Sequence, residues 1–219
     1  MGAEQTTEGR TTEGLPPRLV PLLEQFDYAY GRLRDRLAGP AMDSGNGTQV
    51  KVLPLTDAEL LWEPVPGCWS VRRHADGPGP RAERLDGAGE WGRDAASNPH
   101  PWPPPFTTLA WRLSHLAEML TLRADHTSGT RAMTREQYVQ SGTAEGAIAA
   151  LDSGAAAWRA TLTGVDDAGL DTVGLCTLPY GSDRDDLFLT IVWWVNQELL
   201  HHAAEIALLR DLYRERQDG

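Results

Sequence analysis

At 219 residues the chain is long enough to bury a proper core and fits a single domain. Its 41% hydrophobic and 23% charged residues are ordinary for a globular protein, and no run of about 18 uncharged apolar residues exists to span a membrane. The net charge of −11, with Lys51 the only lysine and no basic stripe interleaved with aromatics, argues against nucleic acid as a partner.

The amino terminus, residues 1–14, is polar and acidic without an apolar segment. It reads as a disordered tail rather than a signal peptide, which predicts a cytoplasmic protein, with residues 15–216 forming the domain. A first helix is expected from Pro16 or Pro17 to Leu37, stopped by Gly39-Pro40. Its apolar positions Leu19, Leu22, Leu23, Phe26, Tyr30, Leu33 and Leu37 follow the helical period and give one buried face. Their excess leaves a homodimer open. Met42 to Gly47 reads as a flexible insertion.

Residues 56–105 are dense in proline and glycine, which forbids long regular elements beyond a short helix at Asp57-Ala58-Glu59. Trp62, Trp69, Trp91 and Trp102 lie there and need burial, so the segment is expected to be an ordered crossover lying on the helices. A second helix should start after Thr107 or Thr108 and run towards His126. One apolar edge carries Leu109, Leu113, Leu116 and Leu120, and another carries Trp111, His115, Met119 and Leu122. A third helix spans about Thr143 to Leu162, with Ile148, Leu151, Ala155, Trp158 and Leu162 inward. The fourth runs roughly from Asp185 to Arg214, is apolar nearly all round at its start, and should be the most buried. No segment alternates convincingly with period two. The fold expected is all-α, a four-helix bundle with one long crossover.

Chemistry enters on the fourth helix. Ile191, Val195, Glu198, His202, Ile206 and Leu209 make one stripe, apolar except for Glu198 and His202. A buried carboxylate without a partner costs several kcal/mol, so something must compensate the pair. A divalent cation does so, because residues four apart on a helix reach the same point. Of the other histidines, His74 and His100 fall in the crossover and His126 at a helix end, whereas His115 sits mid-helix on an apolar edge. His115, Glu198 and His202 would leave a coordination position open, as in catalytic rather than structural zinc sites. The competing reading is a buried Glu198–His202 ion pair, or one completed by Arg210. His201 points about 100° away, towards the surface. Cys68 and Cys176 form no CxxC pair and support neither a disulfide framework nor a cysteine zinc site.

The run Gln197-Glu198-Leu199-Leu200-His201-His202-Ala203-Ala204-Glu205-Ile206, continuing to Tyr213, resembles the last helix of the DinB-like metalloenzyme superfamily. Thr107-Thr108-Leu109-Ala110-Trp111-Arg112-Leu113-Ser114-His115-Leu116 resembles its second helix with the ligand histidine, and Leu61 to Arg72 is similar to a segment of its actinobacterial members. The resemblance implies a four-helix bundle holding zinc or nickel through three side chains. It also implies relatedness to mycothiol-dependent maleylpyruvate isomerases and thiol S-transferases, whose ligand positions correspond to His115, Glu198 and His202. Trp194 stands where such relatives often carry a histidine, so it should wall the pocket rather than bind metal.

The activity expected from this is S-transfer. Mycothiol, a low-molecular-weight thiol, would bind the open position as thiolate and attack a small-molecule electrophile, with Trp111, Trp194, Arg112 and Arg210 as candidate contacts. Two rivals remain from other classes: a metal-dependent enzyme of specialised metabolism that uses no thiol, and a non-catalytic binding or stress-response bundle.

Overall fold

The computed structural model of the protein describes residues 14–39, 42–43, 49–50, 53–97 and 101–218. The expected amino-terminal tail lies outside them except for Gly14, as do residues 44–47 of the expected insertion and His100.

The chain is mostly helical, and its long elements are α1 (Val20–Ala38), α3 (Leu109–Ser128), α4 (Ala144–Thr163) and α6 (Phe188–Asp218). Two single-turn helices, α2 (Asp57–Leu60) and α5 (Asp167–Leu170), lie between them. Local chemistry explains most of the boundaries. Thr56, Thr108, Thr143 and Asp166 each cap the following helix by accepting a hydrogen bond from a backbone N–H three residues on. Gly39 leaves α1 in an extended conformation, as a residue before proline prefers.

Each long helix rests on two others: α3 on α4 and α6, and α1 on α6 and α4. The α3–α4 pairing is the most extensive, and a small residue permits it. A Cβ added at Gly154 would stand 2.9 Å from the carbonyl oxygen of Ala117 and from Thr121 Oγ1, so only glycine fits that approach. The inward stripes are those the periodicity requires. Leu23, Phe26, Leu33 and Leu37 of α1 are buried, as are Leu109, Leu113, Leu116 and Leu120 of α3 and Leu151, Ala155, Trp158 and Leu162 of α4.

The segment between α1 and α3 departs from the all-helical expectation. It carries a three-stranded antiparallel sheet of β3 (Val71–Arg73), β4 (Arg84–Asp86) and β5 (Trp91–Ala95), with β5 central. Two two-residue strands, β1 (Met42–Asp43) and β2 (Gln49–Val50), pair just after α1. The sheet left no period-two signal because its strands are three to five residues long and bury charge. Arg93 and Asp94 are both buried on β5. Asp94 accepts hydrogen bonds from Ser70 N–H at 2.8 Å, Gly79 N–H at 2.7 Å and Arg72 Nε at 2.8 Å, which fastens the sheet internally. Backbone hydrogen bonds from Trp69 N–H to Phe106 and from Thr108 N–H to Trp69 tie the segment to the start of α3.

Two further expectations are corrected. Trp62, Trp69 and Trp91 are buried or half-buried, but Trp102 is 89% exposed beside its proline run. And α6 is not covered on all sides: Trp193, Leu200 and Leu208 face outward, Trp193 with 57% of its surface exposed. One neighbour on each flank cannot cover the whole circumference of a helix.

Candidate metal centre

α6 places Glu198 and His202 one turn apart on the side facing α3, and α3 presents His115 to them. Glu198 Oε2 lies 3.3 Å from His115 Nε2 and 3.4 Å from His202 Nε2, and one ligand atom from each of the three residues falls within 4.8 Å of the others. The imidazole rings meet edge to face, 4.9 Å between centroids. A charge-assisted N–H···O⁻ bond prefers about 2.7–2.9 Å, so these separations are long for hydrogen bonds. Two ligands about 2.0–2.2 Å from a tetrahedral ion stand roughly 3.3–3.6 Å apart, which is the spacing found. No other cluster of three histidine, cysteine or acidic side chains with such convergence occurs among the described residues.

The three side chains are largely buried, with 23%, 18% and 15% exposed for His115, Glu198 and His202. Burial above all, with the nearby charge of Arg93 acting in the same direction, pulls the His115 imidazole down to about 4. The adjoining imidazoles of His115 and then His202 hold Glu198 well below the ordinary carboxylate range. At neutral pH the site therefore offers an uncharged imidazole and an ionised carboxylate, the protonation states a divalent ion requires.

Each imidazole has its own buttress. The indole of Trp111 stacks on His115 at 5.3 Å and 13°, while Trp111 Nε1 donates to the Asp94 carbonyl at 2.9 Å and the Arg93 guanidinium lies 5.4 Å from the indole centroid. The crossover sheet thus holds the ring that holds the ligand. On the far side, His202 Nδ1 meets Glu205 Oε2 at 2.7 Å, and Arg112 pairs with the same carboxylate.

A cavity of about 410 Å³ opens on His115 and Glu198. Met119, Leu122, Leu178, Ile191 and Trp194 supply apolar walls, and Glu118, Asp183, Asp186, Arg123 and Arg135 add charge of both signs. That is the size and mixture of a small-molecule site. Arg123 makes two contacts with Asp183, at 2.9 and 3.0 Å, and lies over the Trp194 ring at 4.4 Å, so both sides of that wall are fixed. Glu118 accepts from Arg93 at 2.8 Å and from Gln140 at 3.3 Å.

The other sequence candidates separate. Trp194 lines the cavity, and Trp111 lies behind His115 instead of in the cavity wall. Arg112 faces His202 and Glu205, away from the cavity. Arg210 neither lines the cavity nor completes the Glu198–His202 pair. It is fully buried against Glu59 Oε1 at 2.7 Å and the backbone oxygens of Arg36 and Leu53, because the same helix carries it three turns beyond Glu198. His201 is exposed, as its helical angle requires. Sequence reasoning did not single out Glu205, Glu118, Arg93, Arg123 or Arg135. Only Glu205 had a local signal, an acid one turn after His202.

Together these features define a mostly helical protein with a candidate His₂Glu centre, two of whose side chains, His115 and Glu198, line a pocket. The family model of the DinB superfamily matches residues 48–206, and the chain belongs to that superfamily, which includes metalloenzymes. No curated protein and no solved structure matches the chain significantly. No helix among the described residues is long and apolar enough to cross a membrane.

Proposed function

We propose that the protein is a metal-dependent S-transferase-type enzyme of the DinB-like four-helix-bundle kind, joining a low-molecular-weight thiol to an electrophilic small molecule. The observation that carries the reading is the convergence of His115, Glu198 and His202 at ligand-to-ligand spacing, with His115 and Glu198 lining a 410 Å³ cavity. These three residues would hold a divalent ion, zinc by their chemistry with nickel as the alternative, and mycothiol would be the thiol. Such an ion supplies a positive charge that makes a thiol a thiolate at neutral pH.

The chain's own residues do the remaining work. As ligands, two imidazoles and one carboxylate would bring a single negative charge, enough to retain a dication without quenching it. Met119, Leu122, Leu178 and Ile191 keep water from the reacting sulfur, and a less hydrated thiolate is a stronger nucleophile. Trp194, its ring held by the Arg123 guanidinium that also lines the cavity, would offer apolar surface to the electrophile. In the reaction the thiol sulfur would bond to an unsaturated carbon of the electrophile, the π pair of that double bond would move to the atom beyond it, and that atom would take up one proton from solvent in place of the one the thiol gave up.

Isothermal titration of metal-loaded protein with mycothiol, beside a metal-stripped control, tests this. Binding that depends on the metal supports it. A metal-loaded protein that ignores the thiol, yet turns over an electrophile in water alone, would replace it with thiol-independent metal catalysis. Less than about a tenth of an equivalent of metal in freshly purified protein would remove both.

A further inference from the structure

His202 is the only ligand whose far nitrogen is met by a carboxylate. Its Nε2 faces Glu198 at 3.4 Å, and its Nδ1 faces Glu205 Oε2 at 2.7 Å and Arg112 Nη1 at 3.2 Å. A neutral imidazole has one N–H and one lone pair, so Nδ1 cannot both donate to Glu205 and accept from Arg112. The shorter contact to a charged acceptor decides: Nδ1–H donates to Glu205, and Arg112 pairs with the Glu205 carboxylate rather than with the ring. The tautomer this selects leaves the Nε2 lone pair pointing towards Glu198 and His115.

We propose that Glu205 and Arg112 form an orienting relay for His202. Glu205 fixes the ring's tautomer and rotation, and Arg112, reaching across from α3, fixes Glu205. The relay rests on the metal reading of the site but adds two positioning residues to it. Its geometry is built by two helices at once. His202 and Glu205 are three apart on α6, and Arg112 stands three residues before His115 on α3, so the turn that presents one ligand also steadies the other. A carboxylate placed behind a ligand imidazole raises its basicity and holds its plane, and removing such a partner weakens metal affinity about 10–100-fold. Arg112 is thereby committed to Glu205 and is not available to a substrate in the cavity, from whose lining it is absent.

The test uses full-length, metal-stripped protein titrated with zinc against a competing chelator, for wild type, Glu205→Ala, Glu205→Gln, Arg112→Ala and the double Arg112→Ala/Glu205→Ala variant. Glu205→Ala should bind zinc about 10–100-fold more weakly, and Glu205→Gln, which keeps an acceptor oxygen, should recover part of the loss. The double variant should be no weaker than Glu205→Ala alone, since Arg112 acts only through that carboxylate. Removing Glu205 alone leaves the Arg112 guanidinium, 12% exposed, without its carboxylate, so fold stability is read in the double variant: its metal-free thermal midpoint should stay near that of wild type while its zinc affinity falls, whereas a merely structural role would lower the midpoint and spare affinity. Cobalt loaded in place of zinc gives an independent spectrum, which should change in Glu205→Ala if the ring reorients. Wild-type affinity in Glu205→Ala, with wild type binding one equivalent, would overturn the relay alone. No zinc binding by wild type would overturn the relay together with the metal site.

Discussion

α6 carries two clusters of buried charge, and they differ in a way that separates binding from scaffolding. Three turns beyond Glu198, Arg210 is sealed from solvent with every contact complementary: its guanidinium donates to Glu59 and to the carbonyl oxygens of Arg36 and Leu53. Donors there meet acceptors, and nothing further is required. At Glu198 the balance fails. Two imidazole nitrogens and a carboxylate oxygen converge at 3.3 and 3.4 Å, all of them atoms that can offer lone pairs, and a cavity opens beside them. Burial alone does not mark a functional site; convergence of like-acting atoms without a closing partner does.

Four measurements break or sharpen that contrast. The largest effect belongs to the scaffold. Arg210→Ala strands Glu59 in the interior and should cost about 3–5 kcal/mol in denaturant unfolding, while leaving zinc affinity per folded molecule unchanged. An affinity that fell with it would merge the two clusters into one. Next comes Glu198→Gln. In wild type, free zinc at about 100 times its Kd should stabilise the fold by about 2.7 kcal/mol, and the variant should show no zinc-dependent rise in thermal midpoint. A persisting rise would place the ion elsewhere.

The third concerns acid. His115 titrates at about 4 in the fold against an ordinary 6.5, so between these values the unfolded metal-free chain binds more protons than the folded one. Stability should fall on the order of 2 kcal/mol as pH drops from about 6.5 to 4, after allowance for the partial exposure of the ring. Glu198, held below its ordinary value, extends the loss to lower pH, because the folded carboxylate resists protonation that the unfolded one accepts. His115→Gln should flatten the upper part of the curve in a pH series of unfolding midpoints. The smallest effect is that of His201→Ala, an exposed neighbour of His202, which should stay within about 0.5 kcal/mol of wild type in stability and bind zinc as wild type does.

How far the sequence reached follows from the range of each interaction. The α6 stripe was legible because helical spacing alone brings residues 198 and 202 to one side, and His115 stood out as a polar group on an apolar edge. The threonine caps and the glycine-proline stop of α1 acted within three or four residues and were equally readable. The three-stranded sheet was not, because its buried face holds Arg93 and Asp94, whose partners lie elsewhere in the chain. Nor was the assignment of the arginines. Arg112 and Arg210 look alike in sequence, both on helices bearing candidate ligands, yet one pairs with Glu205 beside His202 and the other closes a scaffold.

What the sequence determined by itself, then, is everything set by short-range geometry: the long helices, their inward faces, and the pair Glu198 and His202. Tertiary structure alone decided which cations answer which carboxylates, how close His115 comes to that pair, and that a cavity opens there. The physical reason is that a helix turn dictates the direction of a side chain, whereas a charge is satisfied by whatever the packed fold brings opposite it.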